Sequence, residues 1–127
     1  MQKRLYALVG LLWLFSSFNL ATAQQKTQVC KRVTKTEFNE KLNSLKDVQL
    51  VDVRTPGEFS RGTIQGAVNI DYSNPEFVNN IKKLDKTKPT LIFCQAGGRS
   101  AAALKKFEAL GFEFVLELEG GYGNWAR

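Results

Sequence analysis

Between residues 34 and 118 the chain alternates short apolar, β-branched runs with stretches of helical spacing. Thr34-Lys35-Thr36-Glu37 has the form of a capping box, and Phe38, Leu42 and Leu45 then recur on one face, which predicts a first amphipathic helix. Val48-Gln49-Leu50-Val51-Asp52-Val53 reads as a buried strand ending near Arg54. Thr55-Pro56-Gly57-Glu58 offers an N-cap, a proline at the first helical position and a glutamate at the third, predicting a short helical turn. Ala67-Val68-Asn69-Ile70 is a weaker strand signal, and Asn74-Pro75 opens a second helix with Phe77, Val78, Ile81 and Leu84 on its apolar face. Lys88-Pro89 closes that segment before the strand Thr90-Leu91-Ile92-Phe93. Ala101, Leu104, Phe107, Ala109 and Leu110 mark a helix that stops at Gly111, and Val115-Leu116-Glu117-Leu118 is the last strand.

Strands alternating with helices of this length imply right-handed parallel crossovers. The expected fold class is therefore α/β, with a central, mainly parallel sheet flanked by helices on both faces. Residues 1–23 stand apart. Lys3 and Arg4 precede an apolar run from Leu5 to Phe18 that leads to Ala21-Thr22-Ala23, the pattern of a signal peptide with a small-residue cleavage site. An uncleaved membrane anchor and a buried helix are the alternatives, but the run is short for a span. Cleavage would give a product starting at Gln24, and residues 24–127 are enough for one hydrophobic core. The expected location is periplasmic or otherwise extracytoplasmic, with no membrane attachment after cleavage.

Charge adds little. The formal net charge of +6 falls to +4 without residues 1–23, which hold Lys3 and Arg4 and no acid. The remaining basic residues are scattered, without the basic stripe and stacking aromatics of a nucleic-acid site, so no nucleic-acid partner is expected. Cysteine and histidine usage constrains more. The chain has no histidine, which excludes histidine-dependent triads and histidine-ligated metals. No metal or other cofactor is expected. Its two cysteines are Cys30 and Cys94; a disulfide between them is one reading in an oxidising compartment, and a free reactive Cys94 is the other.

The chemistry concentrates in Phe93-Cys94-Gln95-Ala96-Gly97-Gly98-Arg99-Ser100, which leaves a buried strand and enters a helix. Ligands of parallel α/β sheets bind at the carboxyl ends of strands. Gly97 and Gly98 allow positive φ, so that successive N–H groups can turn toward one point, and a helix beginning near Arg99 or Ser100 adds its own unpaired N–H groups. Cys94 at the edge of that anion cradle, beside Arg99, is set up to be a thiolate. The bland alternative is a strand-end cysteine followed by an ordinary glycine turn. These residues support a thiol nucleophile at an anion site without identifying the atom transferred.

Four blocks in this order resemble the rhodanese family: Asp52-Val53-Arg54 with Glu58-Phe59, Gly62 to Ile70, Cys94 to Ser100, and Leu118-Glu119-Gly120-Gly121 with Trp125. The resemblance covers nearly all of residues 24–127. It implies a single-domain sulfurtransferase of the thiosulfate type, in which catalytic Cys94 attacks the outer sulfur of a small anionic donor, forms a persulfide and passes the sulfur to cyanide or a thiol. Arg99 is implied as the second catalytic residue. Gln95, Ala96, Gly97, Gly98 and Ser100 would form the substrate-binding loop, and a monomer is expected. The Cys94-to-Arg99 loop has the short form; phosphatase relatives carry one residue more, making room for a tetrahedral phosphate. Arg54 is expected to pair with Glu58, Asp52 to bond nearby backbone, and Trp125 to pack as an apolar plug. Thr63 stands where the family often has histidine.

Two other functions compete. One is a noncatalytic or persulfide-carrier module serving an extracytoplasmic partner; the intact loop favours the enzyme. The other is a small phosphatase or arsenate reductase, against which loop length and the absence of histidine both argue.

Overall fold

The computed structural model describes residues 26–127; the signal-peptide reading of residues 1–23 lies outside them. The described chain runs β1 (Val29–Val33), α1 (Lys35–Ser44), β2 (Gln49–Asp52), α2 (Pro56–Ser60), β3 (Val68–Asn69), α3 (Phe77–Ile81), β4 (Thr90–Phe93), α4 (Gly98–Ala109), β5 (Phe114–Leu118) and α5 (Gly121–Trp125). The strands form one sheet in the order β1-β5-β4-β2-β3, and every neighbouring pair is parallel. This is the α/β architecture expected. No helix among the described residues is long and apolar enough to cross a membrane.

Side chains alternate across the strands, so β1, β2, β4 and β5 each feed two cores. Val51, Ile92 and Val115 pack with Phe77, Ile81, Ala103 and Phe107 of α3 and α4 on one face. Leu50, Leu91, Phe93, Leu116 and Leu118 pack on the other with Phe38 of α1 and the partly buried Tyr122 and Trp125 of α5. Trp125 meets the Phe38 ring edge-on at 6.1 Å between centroids, the plug expected of it.

The caps behave as their residue types dictate. At the start of α1 Thr34 accepts from the Glu37 N–H, but the Glu37 side chain does not return the bond, so only half of the expected capping box forms. At α2 the reciprocal capping box of Thr55 and Glu58 is complete, with Pro56 in the first turn. Two elements differ from expectation. β1 was not anticipated, because Val29-Cys30-Lys31-Arg32-Val33 puts charged residues in the middle of the strand; those positions are exposed on a sheet edge, where polar side chains are tolerated. α3 starts at Phe77 rather than at Pro75, since the Asn74 side chain accepts the Glu76 N–H and holds the preceding residues in a turn.

Candidate active site

Three strand ends converge where β2, β4 and β5 lie side by side. β4 delivers Cys94 directly after Phe93, and β2 ends at Asp52, the register partner of Phe93. Beyond β5, Gly120 and Gly121 take positive φ of 72° and 61°, turning the chain back under the cysteine loop. A Cβ at Gly121 would collide with the Cys94 carbonyl oxygen. That close approach lets Tyr122 N–H donate to the Cys94 carbonyl at 2.7 Å and Gly123 N–H to the Gln95 carbonyl at 3.0 Å.

The loop itself is a ring of donors around sulfur. Cys94 Sγ accepts from the Gly97 N–H at 3.1 Å and lies 3.2 Å from Ser100 Oγ. Cys94 is 1% exposed, whereas Gln95, Ala96 and Gly98 on the rim are open to solvent. Burial pushes the Cys94 thiol up, but the Ser100 hydroxyl and the N–H groups of Ser100, Gly97 and Ala96 outweigh it, so the thiol is held below its ordinary value. Gly97 supplies the turn with φ 106°. Gly98 does not share it. It is the first residue of α4 with ordinary φ and open space around its Cα, so the two-glycine expectation reduces to one.

The charged residues sort differently from expectation. Arg54 does not pair with Glu58. It is 2% exposed and bonds the buried Asp52 carboxylate, Nε to Oδ1 at 3.0 Å and Nη2 to Oδ2 at 2.7 Å. A buried carboxylate two residues away would otherwise be left without a counter-charge, which is strongly destabilising. Arg54 also stacks 4.4 Å from the Tyr122 ring centroid and donates through Nη1 to Gln95 Oε1. Asp52 accepts the Arg54 N–H, as expected of it, and the Thr63 hydroxyl at 2.9 Å. Glu58 pairs instead with Arg99 through two bonds of 2.7 and 2.9 Å. Those bonds hold the Glu58 carboxyl well below the usual carboxylate range. Arg99 thus reaches the site already neutralised by a partner on α2.

One pair at the site was missed in the sequence. Glu117 of β5 is fully buried, and Arg32 of β1, its register partner, donates to it from Nε at 2.6 Å and Nη2 at 3.1 Å. The same Nη2 donates to the Gly97 carbonyl at 2.8 Å, and Ser100 Oγ lies 2.5 Å from Glu117 Oε1. The signal was available: in a strand buried on both faces, the only charged residue between Val115 and Leu118 must have partners. Both cysteines are free, so no Cys30–Cys94 disulfide forms. Among the described residues no group of three or more His, Cys, Asp or Glu side chains is placed to hold a metal.

A parallel α/β sheet that ends in a cysteine-bearing anion loop defines a class of domains with a thiol nucleophile at an anion site. The Rhodanese-like domain family matches residues 34–127, and the chain belongs to it. It is 36% identical to thiosulfate sulfurtransferase 16 of Arabidopsis thaliana, the match covering 61% of this chain and 72% of that one. It is 38% identical to the tRNA uridine(34) hydroxylase of Pelagibacter ubique over 72% of its own residues, but spans only 30% of that protein. Among solved structures, a rhodanese-like domain protein from Staphylococcus aureus superposes with a TM-score of 0.66 at 35% identity, covering 75% of this chain and 90% of that one. A human single-domain sulfurtransferase does so with a TM-score of 0.62 at 29% identity, covering 75% and 94%. Sulfurtransferases recur among these relatives, which supports a transferase role for this chain.

Proposed function

We propose that this protein transfers sulfane sulfur from a small anionic donor such as thiosulfate to cyanide or a thiol, through a persulfide on Cys94. The observation that carries the reading is the Cys94 sulfur at the floor of a ring of N–H and hydroxyl donors. The Cys94 thiolate attacks the outer sulfur of thiosulfate; the bond from that sulfur to the central sulfur breaks, and sulfite leaves with the electron pair. The negative charge then rests on the outer sulfur of the persulfide, where the loop N–H groups stabilise it. An acceptor anion attacks that sulfur, and the electron pair of the broken S–S bond returns to Cys94.

Recognition of the donor falls to the cleft beside the loop, about 310 Å³ in volume and lined by Arg54, Glu58, Arg61, Gly62, Gln95 and Tyr122. Arg54 is committed to Asp52, and Arg99, next to the cleft, to Glu58. Arg61 makes no ion pair among the described residues, so its guanidinium is the charge available to the oxyanion end of a donor. The N-terminal pattern supports export to an extracytoplasmic compartment, with the folded part acting as a monomer.

The direct test is turnover of thiosulfate with cyanide, read as thiocyanate, alongside an aryl phosphate under matched conditions. Thiocyanate formation that disappears in Cys94→Ser, with negligible phosphate release, supports the transferase. Sulfur transfer that survives Cys94→Ser, or phosphate release without transfer, overturns it. A single sulfur equivalent taken up without turnover would move the protein to the carrier reading.

A further inference from the structure

The Ser100 hydroxyl carries one hydrogen and faces two acceptors, Cys94 Sγ at 3.2 Å and Glu117 Oε1 at 2.5 Å. Both are buried, and both are anions when Cys94 is an empty thiolate. One hydrogen cannot serve both. In the empty state either the sulfur or the carboxylate oxygen faces a Ser100 lone pair, at low dielectric where such a loss is felt most. Loading changes the account. In the persulfide the negative charge sits on the outer sulfur, one bond farther from Ser100, and Sγ becomes an uncharged bridging atom. The hydrogen is then free for Glu117.

We propose that Glu117, clamped by Arg32, is a positioning residue that acts through Ser100 to favour the sulfur-loaded form of Cys94 over the empty thiolate. The inference rests on the sulfurtransferase reading. Arg32 has the opposite effect to Glu117: it cancels the carboxylate charge and, through its bond to the Gly97 carbonyl, holds the turn whose N–H faces the sulfur. Without Arg32 the carboxylate would press on the thiolate uncompensated. The other charges near the loop are Arg99 of α4, held by Glu58 of α2, the Arg54–Asp52 pair at the end of β2 beyond Gln95, Arg61 in the cleft, and Glu119 just after β5, which acts on Arg32. None of these bonds the Ser100 hydroxyl, so its hydrogen is the group left with two claimants.

Opposite signs for Arg32 and Glu117 distinguish this role from a merely structural one, in which both variants would loosen the loop and act alike. The experiment has two arms, both on the intact protein. In the first, the rate of Cys94 alkylation is followed against pH in the wild type, Glu117→Gln, Arg32→Gln, Ser100→Ala and Glu117→Gln/Ser100→Ala, with Cys30 alkylation as the check that β1 and the fold are intact. Glu117→Gln should lower the pH of half-maximal alkylation by about one unit and Arg32→Gln should raise it, while the Glu117→Gln shift should be clearly smaller once Ser100 is alanine, leaving only the through-space part of the charge change. In the second arm the loaded fraction is measured at fixed thiosulfate and sulfite. Glu117→Gln should shift the ratio of persulfide to empty Cys94 about tenfold toward empty.

Shifts of the same sign for Arg32→Gln and Glu117→Gln, or an undiminished Glu117→Gln effect in the Ser100→Ala background, would overturn the inference. So would an unchanged loading ratio in a protein that does form the persulfide. Absence of persulfide in every protein, wild type included, would instead refute the sulfurtransferase reading, and the alkylation arm would still report whether Ser100 couples the two anions.

Discussion

Cys30 and Cys94 carry the same thiol into two surroundings that push it in opposite directions. Cys30 is half-buried on β1, its Sγ 3.7 Å from the Phe112 carbonyl oxygen, and burial together with the Glu108 charge raises its pKa. Cys94 is the more deeply buried of the two, yet its pKa is lowered, because the Gly97 N–H and the Ser100 hydroxyl bond the sulfur and the N–H groups of Ser100 and Ala96 add to them. Burial therefore does not decide reactivity here. The direction of the neighbouring dipoles does, and that direction comes from a strand end, a glycine turn and a helix start meeting at one atom.

The largest contrast is made by removing each sulfur in turn. Cys94→Ser should abolish sulfur transfer with the fold retained, while Cys30→Ser should keep more than about half of the activity, since its sulfur faces a carbonyl and no donor ring. Equal loss in both variants, measured as thiocyanate production, would point to a two-cysteine relay.

The next contrast separates two glycines that look alike in sequence. Gly121→Ala places a methyl group against the Cys94 carbonyl at positive φ and should destabilise the fold by at least about 2 kcal/mol, while slowing Cys94 alkylation. Gly98→Ala falls in the first turn of α4 with open space and should stay within about 0.5 kcal/mol of wild type. Chemical denaturation of the two variants checks both values.

Ser100→Ala removes one donor from the ring and leaves its N–H groups. The pH of half-maximal Cys94 alkylation should rise by less than about one unit, because Glu117 already competes for the Ser100 hydrogen, and the Cys30 profile should not move. A parallel shift in both cysteines would mean that the whole domain had loosened.

These contrasts also show what could be read without coordinates. The strand Thr90–Phe93 and the capping box at Thr55 and Glu58 were legible because each depends on a few adjacent residues. The position of Cys94 at a strand end beside a glycine turn was legible for the same reason. The pairing of charges was not. Glu58 lies four residues from Arg54 yet bonds Arg99, 41 residues away, and Arg32 meets Glu117 across 85 residues. Such pairs are set by which strands become neighbours, and β1 was itself hidden by its edge position. Glu117 alone left a trace, as a charge in a strand otherwise apolar between Val115 and Leu118.

The smallest expected effect concerns the Glu58–Arg99 pair. Because the folded Glu58 pKa is depressed by Arg99, its contribution to stability is complete above the ordinary carboxyl value of about 4.3 and is lost as pH falls below it. Glu58→Gln should therefore cost less than about 1 kcal/mol at neutral pH, given the partial exposure of both partners, and the gap to wild type should close on acidification. A gap that widens in acid would show that Glu58 is held by something other than its carboxylate charge.

The central claim is that only one of the two cysteines is built to hold sulfur, and peptide mass mapping after incubation with thiosulfate tests it most directly. The expected result is one additional sulfur atom, removable by a reducing thiol, on the peptide containing Cys94 and none on the peptide containing Cys30. Sulfur on the Cys30 peptide, or no added sulfur on a Cys94 that remains open to alkylation, would contradict the account.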